Sequence, residues 1–332
     1  MKTSRLFLTS AKLLFTILLL LLVFQSIDIS NVRQSLESFN LGSLLLLLAF
    51  CWTGQLLCSE RWRVFASALK MQGSYWSFVQ IYFIGMFFNI GLPSLVGGDA
   101  IKAYIISRRN AKPLNLGLAS VLQDRASGLI TLLLYGSLAI LLYPISWRGI
   151  PLWIVYFMIW IAIALGLWLV WKGERLYSGL LIPDGNTFIQ RILRMIAGFH
   201  QALGMSDLWA GAIFRITLYS FINSGLVLWI FRQVTVGAGY KVDIIPFSAL
   251  YPLVTLATMF PITLSGLGVR EWIYVEALLL VGIPRSQGLI ISLATSALLL
   301  LCNLGGMVFL SSIPEELKRQ ARDLQHHKDE CT

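Results

Sequence analysis

Between Leu13 and Phe24 the chain reads LLFTILLLLLVF, and comparable apolar runs recur along most of its length. A helix at the surface of a soluble core alternates an apolar face with a polar one, and these segments have no polar face. Their solvent is lipid. A helical span needs about 20 apolar residues, so 332 residues hold six to eight crossings with their loops and no further catalytic domain of any size. Charged residues are 13% and hydrophobic residues 57% of the chain, against roughly 25% charged in a soluble domain. An ordinary cytosolic enzyme is excluded. The expected fold is an all-α polytopic membrane protein, with one integral domain over residues 1–313 and a polar cytoplasmic tail over 314–332.

The net charge of +10 is, in such a chain, first a signal of topology rather than of nucleic-acid binding. The four cysteines Cys51, Cys58, Cys302 and Cys331 form no CxxC pair, so neither a disulfide nor a metal framework is implied. No cofactor is expected. Lys2, Arg5 and Lys12 precede an apolar run without a small-x-small cleavage site, which reads as a retained first span over 6–24.

Continuous spans are expected at 6–24, 41–59, 114–143, 151–171, 211–231 and 286–310. Two further apolar stretches, 76–98 and 244–283, are broken at mid-length by NIGLPSLVGGD and MFPITLSGLGVRE. If 76–98 crossed fully, the loop carrying Arg61, Arg63 and Lys70 would face the side opposite Lys102, Arg108, Arg109 and Lys112, against the positive-inside rule. Re-entrant hairpins, one from each side, remove the conflict, place both termini in the cytoplasm and leave most Lys and Arg on that side. The chain then has six full spans and two re-entrant hairpins, arranged as two inverted halves over about 6–143 and 151–310. Seven or eight full spans is the alternative. The hairpins align as Pro93, Gly97, Gly98, Lys102 and Tyr104 against Pro261, Ser265, Gly266, Arg270 and Trp272. Inverted repeats with broken helices meeting near the midplane are the architecture of many secondary transporters. The loop at 172–210 carries apolar residues at helical spacing from Phe188 to Leu203, as in a helix lying flat on the cytoplasmic leaflet.

A charge at membrane depth costs roughly 2.5–3.5 kcal/mol on insertion scales, so the charges placed at that depth are informative. They are Asp99, Lys102, Asp124, Arg125, Arg215, Arg270, Glu271 and Glu276. Asp99 and Lys102 follow the break at Gly97 and Gly98, where unwound backbone is tolerated only if it lines a polar cavity. Asp124 lies on a stripe with Gly117, Ser120, Gly128 and Thr131 and faces the bundle, while Arg125, about 100° away, needs another partner. Mutual neutralisation that only staples helices is the competing explanation for each charge. Catalytic motifs are not apparent: Val96 replaces the first glycine of a GxGD, no HExxH, GxSxG or Walker loop occurs, and His200, His326 and His327 lie outside the spans. The chain is therefore not expected to be an enzyme.

NIGLPSLVGGDAIKAY at 89–104, LQDRASG at 122–128, FPITLSGLGVREW at 260–272 and ERWR at 60–63 together resemble the membrane region of lysylphosphatidylglycerol synthase/flippase proteins. The resemblance covers about residues 6–310. It implies movement of a phospholipid or polyprenyl-linked lipid across the bilayer without ATP, with Asp99, Asp124, Arg125, Arg270 and Glu271 on the family's charged positions. Only the polar stretch 314–332 follows the last span, so lysyl-lipid synthesis is not carried over. The partner implied is a membrane lipid whose phosphate suits Lys and Arg. The competing class is a scaffold that presents lipid to a separate enzyme without transporting it.

Overall fold

The computed structural model describes residues 41–91, 97–177, 208–240, 243–259 and 269–312. The expected span at 6–24, the expected surface helix near 188–203, the tail 314–332 and the three histidines lie outside the described residues, as do Pro93, Pro261, Ser265 and Gly266. Nine α-helices are described: α1 Leu41–Ala68, α2 Tyr75–Gly91, α3 Gly97–Arg109, α4 Leu114–Leu142, α5 Leu152–Tyr177, α6 Ala210–Gly237, α7 Ile244–Met259, α8 Val269–Leu279 and α9 Arg285–Leu304. A 3₁₀ segment, Gly305–Ser312, extends α9. Four helices, Leu41–Ala68, Leu114–Leu142, Ala210–Gly237 and Arg285–Ser311, are long and apolar enough to cross a membrane, and Leu152–Trp168 and Ile244–Thr258 are shorter apolar helices. The all-helical polytopic architecture stands, with one small departure. Strands β1 Ser146–Trp147 and β2 Ile150–Pro151 pair across a tight turn in which Arg148 and Gly149 both hold positive φ, the geometry of a two-residue hairpin.

One boundary differs in a way that matters. The expected second span ended at 59, but α1 continues to Ala68. Arg61 and Arg63, read from the sequence as loop charges, are therefore helical. Arg61 is buried. From sequence alone a cation at a span end looks like a loop cation when its counter-ion is far along the chain.

The two halves pack alike. Across the centre, Phe50 meets Trp229, Gly54 approaches Asn223 and Glu60 pairs with Arg215, so α1 and α6 cross antiparallel. Gly54 and Asn223 occupy equivalent positions: at the same sequence offset, Trp62, Phe78 and Tyr82 recur as Phe231, Phe247 and Tyr251. In each half the first ring of the three packs on the other two, with centroids 4.9 and 6.3 Å away in one and 4.3 and 5.3 Å in the other. Equivalent helices that cross antiparallel are related by a two-fold axis perpendicular to them. Helix ends repeat too. The amide of Met71 bonds the carbonyl of Ala66 and that of Lys70 bonds Ser67, and Tyr240 with Thr235 and Gly239 with Val236 close α6 in the same double-bonded cap. α3 and α8 end likewise, through Ala111 and Gly282. Each is followed by a proline that starts the next helix, Pro113 or Pro284.

These caps correct the sequence alignment of the hairpins. Pairing the breaks by proline and glycine matched Lys102 with Arg270. Counted back from Ala111 and Gly282, the residue equivalent to Arg270 is Asp99, almost one helical turn away. Gly117 and Gly288 agree with this register. Gly117 packs on Ala103 and Ser107 of α3, and Gly288 on Val275 and Leu278 of α8. Five residues, 92–96, separate α2 from α3 and nine, 260–268, separate α7 from α8, a difference that motif spacing at the break could not show.

Candidate functional site

Helix α3 starts at Gly97, and Asp99 lies in its first turn, where the helix dipole favours a carboxylate. The backbone brings it there by a close crossing: a Cβ on Gly98 would stand 1.8 Å from the carbonyl oxygen of Gly85 on α2. Asn89 secures the start, accepting the Gly98 amide at 2.9 Å. One carboxylate then faces two cations. Arg125 of α4 donates from Nε at 2.9 Å and from its terminal nitrogen at 3.1 Å, and Lys102 Nζ lies 2.7 Å away. Lys102 is buried, with its ammonium 4.2 Å from the Tyr82 ring centre and 5.8 Å from that of Trp62. A cation over these ring faces gains electrostatic support that a dry apolar wall would not provide. Arg125 differs: 43% of its side chain is exposed.

The neighbouring turn of α4 holds a second pair. Asp124, fully buried, accepts from Arg61 Nε at 2.7 Å, and Arg61 also donates to Ser220 of α6 at 3.2 Å. Ser120 on the same stripe accepts from the Trp62 indole at 3.1 Å. Three helices, α1, α4 and α6, are thus tied through one guanidinium. Asp124 Oδ2 and both amide atoms of the Gln123 side chain are buried with no hydrogen-bond partner among the described residues. The expectation that Asp124 faces the bundle while Arg125 finds another partner agrees with this geometry.

The second hairpin carries its own group. Arg270 lies against Glu271 at 3.0 Å, and Ser296 of α9 accepts from Arg270, with its own proton in reach of the Ser292 carbonyl at 2.8 Å and of Glu271 at 3.2 Å. Glu271 is fully buried. Ser296 stands where Arg125 stands in the first half, at the offset that joins Asp99 to Arg270. The same backbone positions therefore hold an Asp–Arg pair in one half and an Arg–Ser contact in the other. Of the remaining candidates, Arg215 pairs with Glu60 and Glu276 with Arg285 at 3.0 Å.

Six predicted site residues thus form two groups: Asp99, Lys102 and Arg125 beside Asp124, and Arg270 with Glu271. Gly97 and Gly98 sit at the first group. The tip residues Pro93, Pro261, Ser265 and Gly266 lie outside the described residues. The sequence missed Arg61, Tyr82 and Ser220. ERWR at 60–63 was the available signal, since a tryptophan next to an arginine one turn inside a span end suits an anchored cation better than a loop. Among the described residues no group of His, Cys, Asp and Glu could hold a metal ion.

No curated protein and no solved structure matches the chain. The model of one protein family, described as the lysylphosphatidylglycerol synthase TM region, matches residues 10–306, a stretch that includes every charged group described above. The chain is an integral membrane protein of the lysylphosphatidylglycerol synthase TM region family.

Proposed function

We propose that this protein moves a polar or phosphate-bearing lipid between bilayer leaflets, as a carrier rather than an enzyme and without nucleotide hydrolysis. The route runs through a mid-depth site between two re-entrant hairpins that enter from opposite sides. Four facts support the hairpin geometry. The Gln72 amide donates to Asn110 at 2.8 Å and Arg109 to Ser77 at 2.6 Å, so the chain enters α2 and leaves α3 at one end of the bundle. α2 and α3 have 17 and 13 residues, about 25 and 20 Å at 1.5 Å per residue, short of a hydrocarbon core of about 30 Å. Asp99 lies ten positions before Arg109, hence about 15 Å from that end. Arg270 lies nine before Leu279, at a similar depth from the opposite end.

Arg125 carries the reading. A cation about 15 Å deep, anchored by Asp99 and still 43% exposed along its side chain, is presented to something, and a phosphate is the natural acceptor for a guanidinium fork. The acceptor Asp124 Oδ2 and the unbonded Gln123 amide add polar capacity in the same turns of α4. The positive-inside rule puts the end bearing Lys70, Arg108, Arg109 and Lys112 in the cytoplasm, with both termini on that side. The test is leaflet exchange of fluorescent phospholipids in liposomes holding the purified chain. Exchange above that of protein-free liposomes, lost in Arg125→Gln while the protein stays folded, is expected. A folded chain that exchanges no lipid of several headgroup classes would leave the scaffold reading in its place.

A further inference from the structure

We propose a second lipid site, separate from the mid-depth charges: a recess between the end of α1 and the start of α6 that binds the phosphate group of an anionic phospholipid headgroup. The recess has a volume of about 320 Å³ and is lined by Arg63, Ser67, Lys70, Trp209, Ala212 and Arg215. That is the size range of small-ligand pockets.

Among the described residues its charge is unbalanced. Glu60 accepts two bonds from Arg63, each 2.7 Å, and a third from Arg215. One carboxylate fixes two guanidiniums and neutralises one of them. Lys70 adds a third cation and pairs with no carboxylate among the described residues. Among the described residues two positive charges are left over beside Ser67, and Trp209 stands 68% exposed at the start of α6, where an indole suits the headgroup level.

The two-fold relation between the halves makes this site informative. At the equivalent positions of the opposite end stand Arg232 for Arg63, Gly239 for Lys70 and Leu46 for Arg215. Lys70 and Gly239 both hold positive φ, 59° and 91°, at the residue that closes the helix cap. Glycine takes that conformation without steric cost, and lysine does not. A lysine there places a cation in the recess in spite of backbone strain. The fold would accept glycine, as its other half does.

The positive-inside rule alone also favours cations at this end, so the test must separate a bound headgroup from a topological signal. Lys70→Gly does so, because it removes the charge and relaxes the backbone. The purified full chain in a neutral detergent is titrated with phosphatidylglycerol, phosphatidylcholine or inorganic phosphate, and binding is followed by native mass spectrometry and thermal stabilisation. Phosphatidylglycerol is expected to bind about tenfold more tightly than phosphatidylcholine, and Lys70→Gly to lose about tenfold for phosphatidylglycerol, the share of one charge-assisted hydrogen bond. Without lipid, the variant should melt at or above the wild-type temperature. Arg215→Leu, the residue of the opposite half, should show the same loss. Protection by phosphatidylglycerol but not by inorganic phosphate identifies the headgroup, and equal protection by phosphate identifies a soluble phosphate at the same site. Equal phosphatidylglycerol affinity in wild type and Lys70→Gly, or no preference over phosphatidylcholine, overturns the site.

Discussion

Asp99→Asn is the substitution whose outcome the structure changes most. From the sequence, a charge beside a helix break that serves transport should be removable with the fold intact. The geometry gives a different answer. Asp99 is the carboxylate partner of Lys102, whose side chain is 3% exposed, and of Arg125, whose side chain is 43% exposed. Arg125 can be solvated or can find lipid phosphate, so its loss is discounted. Lys102 cannot, and breaking a buried pair by removing one partner costs about 3–5 kcal/mol. The tyrosine face at 4.2 Å offsets part of that, about 1–2 kcal/mol for a desolvated cation over a ring. A net loss of about 2–3 kcal/mol is expected for Asp99→Asn. Lys102→Met leaves Asp99 with Arg125 as partner and should cost less. The double variant should be more stable than the sum of the singles, with a coupling of about 2 kcal/mol. Equilibrium unfolding of the four proteins in mixed detergent micelles measures the cycle, and lipid exchange is read on the same preparations. Additivity within about 0.5 kcal/mol would refute the claim that Asp99 is held there to neutralise Lys102. Asp99 paired with Arg270 should show no coupling, since each has its own partners.

Three other outcomes follow from the same geometry. Single cysteines at 70 and 110, in a background without native cysteines, should react with an impermeant reagent from one side of the membrane, and those at 239 and 282 from the other; reaction of 70 and 110 from opposite sides would remove the re-entrant hairpin. Gly98→Ala pushes a methyl to 1.8 Å from the Gly85 carbonyl oxygen and should lower the unfolding temperature through overpacking of about 1–3 kcal/mol; Gly166→Ala, with nothing within 4 Å, is the control that should not. Arg61→Met strands Asp124, so it should fail in thermal unfolding, and Arg61→Met with Asp124→Leu should recover most of the loss; a double variant as unstable as the single would show that the pair is not an isolated staple.

The sequence showed the membrane class, the breaks and the charged positions, because length, apolar runs and Pro/Gly interruptions are local. It did not show Arg61 as a buried partner, since the pairing with Asp124 joins α1 to α4 through tertiary packing alone. Nor did it show the register of the second hairpin. The alignment of Pro93 with Pro261 and Gly98 with Gly266 rests on residues partly outside the described ones, and the caps at Ala111 and Gly282 place the return helices almost a turn from that register, with Gly98 matching Val269. Such a shift leaves no signal in motif spacing. The aromatic triplets Trp62, Phe78, Tyr82 and Phe231, Phe247, Tyr251 were visible as letters. Among so many aromatics, only their contacts mark them as equivalent.

The backbone repeats while the charges do not, and this limits what a passive carrier built this way can do. Asp99 and Arg125 face Arg270 and Ser296 at equivalent places, and Arg63, Lys70 and Arg215 at one end face Arg232, Gly239 and Leu46 at the other. Under the proposed transport, an inverted pair of hairpins with like packing would exchange roles by a modest motion, which requires two states of similar energy. The substituted charges would then make those states bind a headgroup unequally. Without an energy source, unequal binding cannot change the final distribution of lipid between leaflets, since a site returns a ligand to either side with the ratio that equilibrium sets. It can change how full the site is at low lipid on each side. On the proposed carrier function, the basic recess beside Lys70 would act on capture from one leaflet, and the pairs at Asp99 and Arg270 on passage. A net directional flow would need a gradient acting on a group that only one state can protonate or pair.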